Sequence, residues 1–331
     1  MTDEMTTLRA VDPTLSATAP TELDDRAQRD LLAIISTPSG HKLKRRGGWG
    51  AAAGLAVAMV IAAVILGLPD GAPAPRAYAA TPPLLAVIST SSEPALVLND
   101  LAARAQRANG TASTVDQVIR TQSWSLFTRV DGKTVNSAVI PVESELRWGA
   151  DRSGTLKRVT GQPYFPNPDN EHAWLEDGRP ARPGTMLTSE TYALGDFKPM
   201  WNAAPPTDPR DLAEYLAIGH PIERIGTAEL FVAIGDLARE RDLSAVQRAA
   251  VLRILAKAPD MNALGTVIDR LGRPGIAVAT DSDYSGLMTR YILVFDPNTG
   301  ALNAEEAWLT TSAGRLNVPV PSVISYTAWK H

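Results

Sequence analysis

The chain has 331 residues, 44% of them hydrophobic, which suits one large or two small packed domains rather than a disordered polymer. Its 32 basic and 36 acidic side chains leave a formal charge of -4, with no basic block large enough to grip a phosphate backbone, so nucleic acid is excluded as a direct partner. The absence of cysteine removes disulfide frameworks, thiolate zinc sites, iron-sulfur clusters, thiol catalysis and lipid attachment through an N-terminal cysteine.

Residues 1–20 hold Thr, Ser, Ala, Asp and Pro with few large apolar groups, too little to bury, and read as a flexible tail. A helix is predicted over 21–37. Thr21 caps it, Glu22, Asp24 and Asp25 sit near the positive end of its dipole, and Leu23, Ala27, Leu31, Ile34 and Ile35 share one face. Pro38 and Gly40 stop it. A helix this short is marginal alone in water, so its apolar stripe needs a surface to pack on. Acids outnumber bases along it, which disfavours the anionic inner leaflet and favours docking to a cytoplasmic protein.

From Gly47 to Leu68 there is no charged residue, and 50–66 is small and aliphatic throughout. About 20 such residues at ~1.5 Å each cross the hydrocarbon of a bilayer as a helix that satisfies its own backbone groups. Lys42, Lys44, Arg45 and Arg46 crowd the N-terminal flank, while Arg76 stands alone beyond the other, which keeps residues 1–46 in the cytoplasm and exports the C-terminal part. Ala77-Tyr78-Ala79-Ala80 looks like a signal-peptidase site, but the leader is too long and the site too far from Leu68, so the span reads as a retained anchor. Gly50, Gly54, Ala58 and Ala62 recur every four residues and would let two such helices approach closely as a homodimer; alanine-rich composition alone also produces this spacing.

Residues 69–83, rich in Pro and Ala, read as a semi-rigid linker, and 84–331 as the exported domain. Leu96, Leu98, Leu101, Ala102, Ala105 and Ala108 predict a helix closed by Asn109-Gly110. From 122 the period becomes two: Trp124 to Val130, a turn at Asp131-Gly132, then Val142 to Trp148 and Leu156 to Thr160 form a three-stranded antiparallel meander. Nine prolines mark 161–209 as a long loop. A helical insert over 208–258 follows. It opens at Asp208-Pro209, continues with Thr227 to Arg241, and ends with a helix begun by the capping box Ser244-x-x-Gln247. Strands are then expected at 264–270, 275–281, 288–296, 301–310 and 322–329. Strands, helices, then strands with hairpin-length links predict an α+β fold, a curved antiparallel sheet with helices packed on one face above an apolar cleft.

Sites of chemistry are sparse. His41, His172, His220 and His331 form no HExxH or paired spacing, and there is no GxSxG, GxxxxGK[ST] or strand-linked GxGxxG, so no catalytic, cofactor or metal residue is assigned. Asp281, Asp283 and Asp296-x-Asn298-x-Gly300 lack the terminal glutamate of a calcium loop and read as turns. Glu143, Glu145, Glu305 and Glu306 read as a solvated strand face rather than paired catalytic carboxylates, and Trp148, Trp174, Trp201, Trp308 and Trp329 mostly as core.

The order of parts, with Asp269-Arg270-Leu271-Gly272-Arg273-Pro274-Gly275 and Phe295-Asp296-Pro297-Asn298-Thr299-Gly300 as its most specific stretches, resembles actinobacterial single-pass membrane proteins regarded as anti-sigma factors or sigma-factor partners. The exported part resembles, in element order, the lipoprotein-carrier-like half-barrel of envelope-stress sensors. The resemblance implies a non-enzymatic regulator with a cytoplasmic sigma factor or other regulator as partner of the inner helix. The alternative is an anchored carrier or scaffold for an apolar envelope ligand, a lipid or lipoprotein. Many anti-sigma factors carry a His/Cys zinc motif before the span, which a chain without cysteine lacks.

Overall fold

The computed structural model describes residues 79–108, 116–126, 138–166, 168–176, 182–314, 316 and 318–331. The expected cytoplasmic helix over 21–37, the expected span over 47–68, residues 69–78 of the linker and the Asp131-Gly132 turn fall outside them. In chain order the elements are β1 (Val87–Ser89), α1 (Pro94–Arg107), β2 (Asp116–Ser125), β3 (Val142–Gly149), β4 (Gly154–Thr160), α2 (Pro168–Glu176) and β5 (Met186–Tyr192). Then come α3 (Pro209–Leu216), α4 (Ile222–Ile225), α5 (Thr227–Glu240), α6 (Ala245–Leu255), β6 (Asn262–Ile268), β7 (Pro274–Ser282), β8 (Thr289–Phe295), β9 (Leu302–Leu309) and β10 (Ser322–Trp329). Among the described residues no helix is long and apolar enough to cross a membrane.

The ten strands among the described residues join one antiparallel sheet in the order β1-β6-β7-β8-β9-β10-β2-β3-β4-β5. The fold is therefore α+β, as its alternating periods predict. The helices start where local chemistry says they should. Asp208 accepts hydrogen bonds from the Arg210 and Asp211 backbone amides with Pro209 at the first position, and Ser244 and Gln247 form the reciprocal capping box. In α1 the buried stripe is Leu98, Leu101, Ala102 and Ala105, with Arg104 and Arg107 at the negative end of the dipole.

Helices α1, α3, α5 and α6 pack on one sheet face. α1 lies on α6, α3 lies on α5 and α6, and α5 rests on β2, β7 and β8. Leu212, Leu216, Phe231, Ile234, Leu237, Leu252 and Leu255 meet Ile119, Leu146, Trp148, Val278, Leu293, Phe295 and Trp329 in one apolar core. Each such side chain is worth about 1.5–3 kcal/mol of burial. The opposite face of the second-half strands is covered too, with Ala277, Ala279, Ile292, Val294, Ala304, Trp308 and Tyr326 packing with Ala80 and Leu85 from the incoming chain. Burial on both faces explains why β8 reads Tyr-Ile-Leu-Val-Phe without alternation, whereas Leu146 and Trp148 of β3 alternate with half-exposed or exposed neighbours.

Three differences from the sequence reading have physical causes. The segment 161–209 is not irregular throughout, since it contains α2 and the edge strand β5, which continues the meander beyond β4. β2 begins at Asp116 rather than near 122, because its inward positions include the polar Gln117 and Thr121; Gln117 Oε1 accepts the Asp242 amide at 2.7 Å. The short β1 and α4 gave no periodic signal at three and four residues.

Candidate functional site

The densest chemistry in the described residues is a chain of ionisable groups beneath α5. Gly219, at φ +87°, turns the backbone after α3 and delivers His220 into the interior. The imidazole stacks on Trp201 at 5.6 Å and 19°, and Trp201 stacks in turn on Tyr215 at 5.6 Å and 16°. His220 Nδ1 lies 2.8 Å from Glu229 Oε1, and Nε2 lies 3.7 Å from Asp236 Oδ2, beyond hydrogen-bond length and with no other partner. Arg239 Nη1 donates to Asp236 Oδ1 at 2.6 Å, and Arg239 Nη2 donates to Glu305 Oε1 of β9 and to Thr327 Oγ1 of β10. Gly235 makes the close approach possible, since a Cβ there would overlap the Glu305 carboxylate.

Charge counting shows what this chain can do. Three carboxylates, Glu229, Asp236 and Glu305, face one guanidinium, a formal charge of -2 with His220 neutral. Unbalanced buried charge is expensive, and the excess in this cluster is negative. With Nδ1–H donated to Glu229, the Nε2 edge of the ring faces the Asp236 carboxylate without a hydrogen bond. Burial pushes the Asp236 carboxyl upward against the opposing pull of Arg239 and His220, and burial lowers Arg239. The arrangement couples α5 to the centre of the sheet through Arg239, which bridges Asp236 to Glu305 and Thr327.

At the C-terminal end of α5 two indoles cap open carbonyls. Trp329 Nε1 donates to Ala238 O at 2.9 Å and Trp148 Nε1 to Glu240 O at 2.8 Å. The Glu240 carboxylate accepts the Met200 amide at 3.0–3.1 Å, and burial pushes its pKa up to about 7. Arg241 lies 4.4 Å over the Trp148 ring and donates to Trp201 O at 2.7 Å. On the other sheet face Arg270 grips Glu306 through two bonds of 2.7 and 2.8 Å, and Trp308 Nε1 donates to the same carboxylate at 2.7 Å. Burial raises Glu306 even so.

The sequence-marked residues divide accordingly. Glu143 reaches Lys330 and Gln122, and Glu145 reaches Arg147 and Arg120, whose hydrogen bonds hold its carboxyl down at about 2. Both stand on the solvent side, as expected. Glu305 and Glu306 do not. They are interior ion-pair partners on opposite faces of β9, because arginines from α5 and from the β6–β7 turn reach in to meet them. Asp296 Oδ1 is occupied by the Asn298 and Thr299 amides and Thr299 Oγ1, and Asp281 by Arg290, so the calcium-like stretch is built as turn and ladder. Trp148, Trp174, Trp201, Trp308 and Trp329 are all buried. His172 pairs with Glu176 at the surface and His331 Nε2 lies 3.0 Å from Leu302 O. Among the described residues no three His, Asp or Glu side chains are placed to hold a metal ion.

Leu23, Ala27, Leu31, Ile34 and Ile35, the cationic Lys42, Lys44, Arg45 and Arg46, the small-residue line Gly50, Gly54, Ala58 and Ala62, and His41 all lie outside the described residues. The His220 chain was missed because its members come from three elements. Its one local signal is Glu229, Asp236 and Arg239 at helical spacing on an otherwise apolar segment. Compared with protein-family models, with curated proteins and with solved structures, the chain matches none.

Proposed function

We propose that the protein is a membrane-anchored, non-enzymatic regulator of the anti-sigma type, with an exported domain that senses an envelope component and an inner helix that contacts a sigma factor or similar transcription regulator. The observation that carries this reading is the charge-free stretch from Gly47 to Leu68 with Lys42, Lys44, Arg45 and Arg46 on one flank and a folded α+β body beyond the other. In this reading the sheet is the curved half-barrel of a lipoprotein-carrier-like fold. Four interior carboxylates are each held by a basic side chain, Glu229 by His220, Asp236 and Glu305 by Arg239, and Glu306 by Arg270, which supports a conformational role over a catalytic one.

A carrier of lipid or lipoprotein would need room between helices and sheet. Beneath α5 that room is taken by Phe231, Ile234, Leu237 and the His220 chain, which favours the regulator.

Full-length protein extracted from membranes should retrieve a sigma factor by cross-linking, and Leu31→Asp with Ile35→Asp should abolish retrieval while leaving membrane insertion intact. A wild-type chain that inserts yet retrieves no cytoplasmic regulator would sink the proposal.

A further inference from the structure

The two faces of the sheet are covered by unlike means. Four helices hold one of them, whereas the opposite face of the second-half strands meets the chain that enters at residue 79. Ala79 joins Leu309 of β9 and Ile324 of β10 in one apolar cluster. Ala80, Leu85 and Val87 join another, with Val267 of β6, Ala277 and Ala279 of β7, Val294 of β8 and Ala304 of β9. The three sheet alanines are fully buried, and side chains that short let a second backbone lie close against the strands.

Little besides these contacts holds the incoming segment. Among the described residues, 79–85 make no hydrogen bond or ion pair, and Pro82 and Pro83 have no amide proton to offer. Regular pairing begins only at β1, whose three residues meet β6 from Val267 to Gly265, with the Thr90 amide donating to Leu264 O at 3.3 Å. Even that pairing depends on a glycine. Gly265 has φ +122°, and a Cβ there would overlap the Ile88 carbonyl. Residues 79–89 are thus ordered chiefly by burying Ala79, Ala80, Pro82 and Leu85. Fixing a backbone costs free energy at every residue, and two methyl groups, one ring and one leucine return little against it. Attachment becomes firm directly afterwards. Beyond the exposed residues 91–93, α1 is fixed in the main core by Leu98, Leu101, Ala102 and Ala105.

We infer that residues 79–89 form a releasable strap, which lifts from the sheet as one unit while the helices and β2 to β10 stay folded. Residues 90–93 are its hinge. Closed, the strap shields the alanine-lined strip and ends the sheet; open, it bares that strip beside the unpaired backbone edge of β6. The strap, its seat and its hinge are independent of the anchor proposed above.

The chain has no cysteine, so one introduced thiol reports the opening of its own site. Full-length protein in detergent micelles carries Ala80→Cys in the strap, Ala279→Cys in its seat, or Ala249→Cys, fully buried in the helix layer. Reaction with a chromogenic disulfide is followed under native conditions, each rate normalised to that of the same variant in denaturant. Thiols at 80 and 279 should react at similar rates, at least tenfold faster than at 249. Leu85→Ala, which removes the largest buried side chain of the strap, should speed both by a further tenfold or more and leave 249 unchanged. Ala304→Cys replaces Ala279→Cys, and Ala250→Cys replaces Ala249→Cys, wherever circular dichroism differs from that of the parent. A thiol at 279 as slow as at 249, or equal acceleration of all three positions by Leu85→Ala, means that the strip is uncovered only when the whole fold opens, and overturns the inference.

Discussion

Glu240 is the residue whose environment makes the sharpest demand. Its carboxyl is buried at the end of α5, accepts the Met200 amide, and has a pKa raised from 4.5 to about 7 with burial as the leading cause. The folded chain therefore holds this proton more tightly than the unfolded chain does. The stabilisation is complete below about pH 4.5 and is lost as pH rises through 7, an effect of up to about 3 kcal/mol. Denaturant midpoints should accordingly fall between pH 5 and pH 8, and Glu240→Gln, which keeps an acceptor for the Met200 amide, should flatten that slope. A parent and variant with parallel pH profiles would show that Glu240 ionises freely in the fold. Asp236 and Glu306, also raised by burial, act in the same direction, so the slope should shrink rather than vanish.

At the scale of elements, α5 carries a glycine in its interior, which costs ~1 kcal/mol of helix propensity relative to alanine. Gly235 is tolerated because the helix must come down onto the Glu305 carboxylate. Gly235→Ala should therefore destabilise the protein by about 1–3 kcal/mol through overpacking. In a Glu305→Ala background the same change should be neutral or stabilising, and thermal melts of the four chains give the coupling directly. The helices were legible in sequence because their signals are local: the Asp208 and Ser244 caps act within three residues of themselves. β6 to β10 were legible because their turns are marked by Asp269-Gly272 and Asp296-Gly300, where an aspartate holds the loop amides and the glycine takes positive φ. β5 was hidden by the prolines around it and by its position at an exposed edge, where Met186 and Leu187 are both half out in solvent and no alternation survives. Glu305 was misread for another reason. An acid on a strand looks the same in sequence whether water or an arginine 66 residues away receives it, and only packing decides which.

For the molecule as a whole, the anchored reading proposed above, with its asymmetry of charge around the Gly47–Leu68 stretch, predicts a single orientation. Protease added to intact spheroplasts should remove the body beginning at Ala79 and leave an N-terminal fragment of residues 1–46 with its span protected, as read by an epitope at each end. Protection of the C-terminal epitope would reverse the topology. The strand order carries a further consequence. β2 to β5 are encoded early and β6 to β9 late, yet the two groups touch in the sheet only through β10, which pairs with β9 on one side and β2 on the other. The ribosome reaches that seam after all nine other strands. Until Ser322 to Trp329 emerge, a nascent chain holds two unfinished half-sheets with raw edges, and Trp329 cannot yet close over the end of α5. Closure of this sheet thereby waits on β10, and quality control that monitors open edges has two half-sheets to watch until that strand is made.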